Sequence, residues 1–540
     1  MSSGRDVGDV YAATLERVRA QKKDRARLGM EAIMWVAYSE RPLSPEELCE
    51  ALGVEIGSAD LDSDNIPSIR TILNCGLGLV TVDSSSSVVR LVHFTLQEHI
   101  LANPTLFCGP HSMIAEVCLT YLNFGCIRGL SPTLRSPPPT TPFLGYASRY
   151  WGAHARRQSS TSVISLALKL LDGFDVHISC GLLLRTVHKL PRADADRDSP
   201  IECTALHAAA FLGVLEIMVA LLKTNKWDVN ATIWFGSTAL MWAANMGHDG
   251  IVKVLLEQEG VNPNIVNHGG KTLLSHAATN GREGIVEMLL ERNDVSPDIT
   301  DKQGRTPLSW ASGPGVGRGS TKEEFERIAK ILLEQDEVNP DSADKSGRTP
   351  LSWAAGSGGE KIVLMLLERN DVSPEIADKG GRTPLSWAAG NGNEKIVQML
   401  LKRGDANPDY IDKSGRTPLS WAAGGGRERV VKMLLEQNDV NHDTADEGGR
   451  TPASWAAKSG HEKIVGMLLL RNDALPNMVD ESGQTKFSSA TGNDCGRVAQ
   501  EQVEEHHPPF ILGRGGELSG PPATDSSPLP EPPLKKIRRF

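Results

Sequence analysis

The sequence lacks the segments that would place a protein in or across a membrane. No uninterrupted apolar run approaches the roughly 20 residues that a membrane-spanning helix needs, and the start, MSSGRDVGDV, lacks the apolar core of a signal peptide. The eight cysteines are scattered, with no CxxC pair and no regular framework, which is typical of reduced thiols. We therefore expect a cytoplasmic protein without membrane contact.

The chain also has no excess of positive charge. It carries 57 lysines and arginines against 67 acidic residues, which gives a formal net charge of −10. Proteins that bind nucleic acid through their overall field are usually basic, so this balance argues against that role. No Ser/His/Asp, Cys/His, paired-carboxylate or metal-ligand set has a supporting context. The sequence therefore predicts a protein that is not an enzyme and that has no cofactor, metal or small-molecule substrate.

What the chain has instead is a repeated segment, TPLSWAA, in its second half. Its threonines recur every 34 residues, except for an interval of 43 between Thr306 and Thr349. The set comprises Thr204, Thr238, Thr272, Thr306, Thr349, Thr383, Thr417, Thr451 and a degenerate ninth copy at Thr485. A fixed period of this length is typical of a solenoid, in which each unit buries its apolar face against its neighbours.

Each unit has the pattern of a turn followed by two helices. In the unit of Thr383, Asp378 and the glycines after it indicate a turn, and Thr383 is a helix cap followed by a first-turn proline. The apolar spacing of residues 396–401 predicts the buried face of a second helix. The Thr306 unit has nine extra residues between its helices, inside GPGVGRGSTKEEF, which we expect to form a surface loop; a dedicated binding loop is the alternative.

The order of turn, TPL-x-x-AA helix, second helix and loop resembles ankyrin repeats over residues 198–492. The resemblance implies a solenoid of eight repeats plus the degenerate ninth, with a concave surface that binds protein partners. The sequence departs from the family after TPL, where the family usually has histidine and this chain keeps it at His207 alone. The replacing serines are Ser309, Ser352, Ser386, Ser420 and Ser454.

Tryptophan recurs at one position of the repeat. The set comprises Trp242, Trp310, Trp353, Trp387, Trp421 and Trp455, with His276 in the third unit. One interpretation is packing between neighbouring first helices, because aromatic stripes at helical positions are mostly core. The other is a partly exposed aromatic strip on the concave face, which is the composition of a binding hot spot.

Arginine recurs in the turns. The set comprises Arg305, Arg348, Arg382, Arg416 and Arg450, with Lys271 in the third unit. We expect these side chains to pair with the turn acids Asp301, Asp344, Asp378, Asp412 and Asp446. The alternative is a rim of guanidinium groups that recognises an acidic partner. The tryptophans from Trp310 onward and the arginines are therefore the candidate partner-binding residues.

The N-terminal third has a different pattern. Residues 1–24 predict a helical segment or linker, and residues 25–104 predict three helices and a hairpin, which together make a winged helix-turn-helix. Within it, the sequence from Ser44 to Glu47 is a capping box with a first-turn proline. The third helix offers Arg70 as its one cation, so we favour a structural or protein-contact role over a DNA-binding regulator. Residues 105–190 predict a helical connecting region.

The segments LGMEAIMWVAYSERPLSPEELCEALGV, LVHFTLQEHIL and PFLGYASRYWGAHARR resemble fungal proteins of the NACHT (STAND) type. In that family a winged helix of the GPI inositol-deacylase kind precedes a helical stretch and ankyrin repeats. This chain has no Walker A lysine loop and no Walker B strand, so the family's ATP switch is not implied. We expect either a stand-alone relative or a truncated gene model. The alternative function is the regulatory part of an ATP-driven immune or incompatibility switch.

Residues 493–540 predict a polar cap and a disordered tail rich in proline and glycine. The final residues place a basic cluster that resembles a nuclear localisation signal at Lys535, Lys536, Arg538 and Arg539. Nuclear import is therefore the alternative to a purely cytoplasmic location. Taken together, the sequence predicts a mostly α protein, a winged helix and helical region followed by an ankyrin solenoid, that acts as a non-catalytic scaffold or sensor for a protein of unknown identity.

Overall fold

The computed structural model describes residues 7–134, 136–187, 203–313, 321–437 and 440–469. The degenerate repeat at Thr485, the polar cap and the tail with its basic cluster lie outside the described residues, as does most of the insertion of the Thr306 unit. Within the described ranges, no helix is both long enough and apolar enough to cross a bilayer.

The first part of the chain folds as five helices and a hairpin. Their bounds are α1 Val7–Arg19, α2 Lys23–Tyr38, α3 Pro45–Gly53, α4 Ile69–Cys75, β1 Val80–Asp83, β2 Val88–Leu91 and α5 Phe94–Ala102. The capping box is present, because Ser44 accepts the Glu47 N–H while the Glu47 carboxylate accepts the Ser44 N–H. Helix α4 begins at Ile69, since Ser68 caps it, and residues 63–65 before it form a 3-10 turn.

Five further helices follow, and they share a core with the winged helix. Their bounds are α6 Pro110–Leu122, α7 Gly125–Arg128, α8 Leu144–Arg157, α9 Thr161–Leu171 and α10 Ile178–Val187. The buried Trp35 ring meets the rings of Phe143 and Tyr146 edge to face. The Glu50 carboxylate accepts the Tyr121 hydroxyl and the Phe143 N–H. The two regions are therefore one packed unit and not independent modules.

The repeat region contains eight helix pairs within the described residues. Their bounds are α11 Ala205–Leu212 and α12 Leu215–Leu222, α13 Ala239–Met246 and α14 Asp249–Leu256, α15 Leu273–Thr279 and α16 Glu283–Leu290, α17 Pro307–Ser312 and α18 Lys322–Leu333, α19 Pro350–Ser357 and α20 Glu360–Leu367, α21 Pro384–Asn391 and α22 Glu394–Arg403, α23 Pro418–Gly424 and α24 Glu428–Leu435, and α25 Pro452–Lys458 and α26 Glu462–Leu469. A two-residue hairpin, β3 Thr232–Ile233 and β4 Ser237–Thr238, precedes α13. Each first helix is capped by its repeat threonine, as at Thr383, which accepts the Ser386 N–H.

Neighbouring turns are joined by backbone hydrogen bonds. The N–H of Lys379 donates to the carbonyl of Ser346 at 2.7 Å, and the N–H of Lys413 donates to the carbonyl of Gly380 at 2.9 Å. Gly381 has a φ of +82°, and a Cβ atom there would lie 2.6 Å from the Lys413 nitrogen. Glycine is therefore required at this position both for its backbone conformation and for the close approach of the next turn.

The insertion of the Thr306 unit is partly helical, which corrects the expectation of a loop. Thr321 and Glu324 form a capping box, so that α18 begins at Lys322 and has 12 residues where the neighbouring α20 has eight. The extra turn is amphipathic, because Phe325 is buried while Lys322 and Glu323 are exposed. Residues 314–320, between the helices, lie outside the described residues.

Candidate partner-binding ladder

A turn aspartate organises each of the five repeats from Thr306 to Thr451. In the Thr383 unit, one oxygen of Asp378 accepts the N–H groups of Gly380 and Arg382, at 2.8 and 2.9 Å. The other oxygen accepts the indole N–H of Trp387 at 3.0 Å. The equivalent indole contacts are Trp310 to Asp301 at 3.1 Å, Trp353 to Asp344 at 3.2 Å, Trp421 to Asp412 at 2.9 Å and Trp455 to Asp446 at 3.0 Å. The aspartate thus fixes both the turn and the plane of the ring.

Each fixed ring is stacked between two cationic groups, which are both guanidinium groups except at Trp310, where Lys271 supplies one of them. The Arg382 Cζ lies 3.6 Å from the centre of the Trp387 ring and 3.8 Å from that of Trp421 in the next repeat. We call the resulting alternating stack the Trp–Arg ladder. Its members, in stacking order, are Lys271, Trp310, Arg305, Trp353, Arg348, Trp387, Arg382, Trp421, Arg416, Trp455 and Arg450.

The contacts are of cation–π range along the whole ladder. Arg348 lies 4.7 and 3.9 Å from its two rings, Arg416 lies 4.5 and 3.6 Å from its two, and Arg305 lies 3.8 and 5.6 Å from its two. Lys271 ends the stack with its Nζ 3.3 Å from the centre of the Trp310 ring. Each such contact contributes about 0.5–1 kcal/mol when exposed and about 2 kcal/mol when desolvated.

The expected pairing of turn arginines with turn acids is found at three of the five arginines, as ion pairs of Arg305 with Asp301 at 3.8 Å, Arg348 with Asp378 of the next unit at 4.0 Å, and Arg450 with Asp446 at 3.2 Å. The Arg305 Nε lies 3.8 Å from the nearest Asp301 oxygen, beyond hydrogen-bond distance, and the Nε atoms of Arg348, Arg382 and Arg416 have no acceptor among the described residues. Arg450 does hydrogen-bond to Asp446, at 3.2 Å. Direct hydrogen bonds between these groups are few because the aspartate oxygens already accept backbone and indole N–H groups, while each guanidinium plane lies over aromatic rings.

The ladder cations are partly desolvated but still reach the surface. The side chains of Arg305 and Arg348 are 24% and 27% exposed, and the stacked tryptophans are partly buried. Burial lowers the pKa of Arg382 to about 10 and the pKa of Lys271 to about 8. The neighbouring aspartates oppose this effect without cancelling it, so the ladder holds cations whose lost hydration is incompletely replaced.

Three glycines in the first helices seat the stacked rings, and the sequence interpretation did not include them. A Cβ atom at Gly390 would lie 3.2 Å from the Arg382 Nη2 and 3.5 Å from the Trp421 Cβ. Gly356 and Gly424 face Trp387 and Trp455 in the same way. A signal was present, because these glycines recur seven residues after the repeat threonine, at the interval of the tryptophans themselves.

Trp242 and His276 share the repeat position but not the environment. Trp242 is 7% exposed and packs edge to face against Phe211, with ring centres 5.8 Å apart. His276 contacts the side-chain amide of Asn267 at 2.9 Å, which reproduces the acid–indole contact with a different pair of residues. The packing interpretation therefore fits Trp242, whereas the later tryptophans occupy the partly exposed ladder.

Two other candidate sites in the described part of the chain are weaker. Arg70 is exposed on α4, but that helix contributes no second cation, and a phosphate-contacting helix is normally basic. Within the described ranges, no group of three or more His, Cys, Asp or Glu side chains has the arrangement of a metal site. The ladder is accordingly the surface on which we base a function.

Models of known protein families match two parts of the chain. The model described as "GPI inositol-deacylase, winged helix domain" matches residues 15–109. The model described as "Ankyrin repeats (3 copies)" matches residues 176–267, 251–316, 320–412, 370–446 and 404–480, which together exceed half of the chain. A search of curated proteins found no match. The predicted order of a winged helix of this kind followed by ankyrin repeats is confirmed, and the likeness to fungal NACHT proteins stays a prediction.

Proposed function

This chain belongs to the ankyrin-repeat proteins, and from that premise we propose that it is a non-catalytic scaffold or sensor that binds a protein partner on the concave surface of its repeats. The repeats themselves support a role in protein interaction. The observation that carries the rest of the proposal is the Trp–Arg ladder, since tryptophan and arginine are the residues most enriched in binding hot spots.

The ladder has the physical properties of a binding surface. Its rings are fixed by the turn aspartates, so that little side-chain entropy is lost when a partner docks. Its cations are partly exposed, as the side chains of Arg305 and Arg348 show with 24% and 27% exposure. The first two repeats stack without such a ladder, so an ankyrin fold does not require it.

The N-terminal regions are proposed to connect this surface to an effector. The winged helix shares a core with the helical region, and Gly152 of α8 approaches Leu212 of the first repeat so closely that a Cβ atom would lie 2.5 Å from a leucine methyl group. A partner bound on the repeats would therefore act on a continuous packed body. The same order of domains favours, as a second candidate, the regulatory part of an ATP-driven switch.

The test is capture of partners by the full chain with and without ladder rings. Trp387→Ala and Trp421→Ala are expected to reduce the amount of captured protein strongly, as measured by quantitative mass spectrometry, and to lower the melting temperature only slightly. A core tryptophan would instead cost about 3–5 kcal/mol of stability on truncation. Lys395→Ala is the control, because Lys395 is exposed on the second helices and pairs with Glu360. Equal capture by the control and the ladder variants would contradict the proposal.

The proposed location is the cytoplasm, with nuclear import as the finer hypothesis. The basic cluster that motivates it, from Lys535 to Arg539, lies outside the described residues and stays a prediction from the sequence. Neutralising Lys535, Lys536, Arg538 and Arg539 in a fluorescent fusion should deplete the nuclear signal. An unchanged distribution would remove the hypothesis.

A further inference from the structure

The chemistry of the ladder indicates the class of partner, and this inference rests on the function proposed above. We propose that the Trp–Arg ladder binds an extended peptide segment that carries carboxylates on alternate residues. Each carboxylate contacts one guanidinium group, so that consecutive acidic side chains follow consecutive repeats.

The first argument is spacing. Arg348 and Arg382 lie on the same ring, with their Cζ atoms 3.9 and 3.6 Å from the centre of Trp387, so their separation cannot exceed the sum of those distances. The same holds for Arg382 and Arg416, at 3.8 and 4.5 Å from the centre of Trp421. A β-strand places alternate side chains on one face about 6.6 Å apart, which lies within both limits.

A helical segment fits the same row less well. Side chains four residues apart on an α-helix rise by about 6 Å, but each step also rotates them by about 40° around the axis. A straight helix can therefore meet two or three guanidinium groups before its acidic stripe turns away. A strand keeps the same face toward the ladder over all five arginines, because its side-chain period is two.

The second argument is charge. The ladder and its turns present cations on a chain whose net charge is −10. Six cations face five turn aspartates whose oxygens already accept backbone and indole N–H groups. Exposed lysines add to them at the turn tips, at Lys302, Lys345, Lys379 and Lys413. A carboxylate can accept two N–H groups of one guanidinium, so the partly exposed guanidinium groups suit an acidic ligand.

The third argument separates a peptide from a nucleic acid. Proteins that bind single strands without sequence preference stack the bases on aromatic faces. Here two guanidinium groups lie over the ring of Trp387 and two over that of Trp421, with their Cζ atoms 3.6 to 4.5 Å from the ring centres, which leaves little of either ring for a base. The ladder therefore offers guanidinium edges to a ligand and not indole faces. Such edges suit carboxylates on an extended peptide backbone.

The proposal is tested with the full chain and labelled peptides of defined pattern. One peptide alternates glutamate and serine, a second has the same composition with the glutamates in one block, and a third places glutamates four residues apart on an alanine-rich helix. Fluorescence anisotropy is expected to show at least tenfold tighter binding of the alternating peptide than of either other. This comparison uses the unaltered protein, so it does not depend on the folding of any variant.

Variants then locate the site. Arg382→Gln with Arg416→Gln should weaken binding of the alternating peptide at least tenfold. Lys361→Gln with Lys395→Gln removes the same charge from the second helices, where both lysines are about 70% exposed, and should change it less than twofold. Circular dichroism and thermal unfolding check that both proteins are folded.

Three results would overturn the inference. They are equal binding of the block and alternating peptides, preference for the helical peptide, and tighter binding of a thymidine oligonucleotide that the same arginine changes abolish. If none of the acidic peptides binds while Trp387→Ala still reduces partner capture, the proposed function stands and this inference fails. If capture is also insensitive to the ladder, both fail.

Discussion

The first three repeats and the five that follow have the same core but different surfaces. We call the units of Thr204, Thr238 and Thr272 the early repeats, and the units from Thr306 to Thr451 the ladder repeats. Both groups bury the leucine that lies two residues after the capping threonine, as Leu240 and Leu385 show with 3% and 1% exposure. The ladder repeats alone stack tryptophan between arginines within the described chain. The comparison indicates that the ladder is an addition to the ankyrin fold and not part of its requirement.

The first repeat and the ladder repeats also join their neighbours differently. In the first unit, His207 contacts Thr204 through Nδ1 at 2.7 Å and reaches the Ser237 carbonyl of the next unit through Nε2 at 3.1 Å. In a ladder repeat the residue at that position is a serine, and Ser386 contacts Thr383 of its own unit. The indole–guanidinium stack supplies contacts between ladder repeats that the histidine supplies at the start. Where serine replaces the histidine that is usual in the family, the indole–guanidinium stack thus forms the side-chain contact between neighbouring repeats.

Acid should produce the largest difference in stability between the ladder repeats and the part of the chain that precedes them. Burial lowers the pKa of His154 to about 3 and the pKa values of His177, His207 and His276 to about 4, and all four precede the ladder repeats. Their pKa values are near 6.5 in the unfolded chain, which therefore takes up protons that the folded chain refuses. Stability is full above pH 6.5 and falls as the pH drops from 6.5 toward 4. Each unit of difference corresponds to about 1.4 kcal/mol.

Region-resolved hydrogen exchange at pH 7 and pH 5, corrected for the intrinsic rate, measures this effect. The chain up to His276 should lose protection first, since the ladder repeats hold two partly exposed histidines, His442 and His461. Glu31 and Glu50 act in the opposite direction, because burial raises their pKa values. Earlier loss of protection in the ladder repeats would show that the buried histidines do not dominate.

Truncating one core leucine in each group should lower the local stability of the two groups by a similar amount, because their cores are alike. Leu240→Ala and Leu385→Ala each delete a fully buried side chain beside small alanines, at a cost of about 2–5 kcal/mol. We expect comparable losses in the local opening free energy of the altered repeat, measured by hydrogen exchange on the full chain. A much smaller loss for Leu385→Ala would mean that the ladder carries stability that the early repeats obtain from their core.

Local features of both groups could be predicted from the sequence. The caps at Thr204 and Thr383, the turn after Asp378 and the buried faces of both helices depend on residues within about ten positions of one another, so periodicity and capping rules suffice. The five stacked tryptophans and their arginines were also identified, as two separate sets, as candidate partner-binding residues. Their use in binding stays a proposal.

The ladder itself could not be predicted, because it depends on contacts between units 34 residues apart. Whether Arg382 pairs with Asp378 or stacks between Trp387 and Trp421 is decided by how closely successive helices approach, which no spacing within one unit reveals. The packing environment of Trp242 could not be predicted for the same reason. Its position matches the later tryptophans, but Phe211 packs against its ring, and Ser237 stands where the later repeats have arginine.

The smallest expected difference lies in the caps. Thr383→Ala removes a hydroxyl that accepts the Ser386 N–H at 3.3 Å, and loss of such a cap costs about 1 kcal/mol. Thr204→Ala should cost more, because it also leaves the buried His207 Nδ1 without its contact. Chemical denaturation followed by hydrogen exchange measures both, with Thr383→Ser and Thr204→Ser as controls that keep the hydroxyl. Equal costs would mean that His207 is held by its contact to Ser237, and that the histidine and serine units are capped alike.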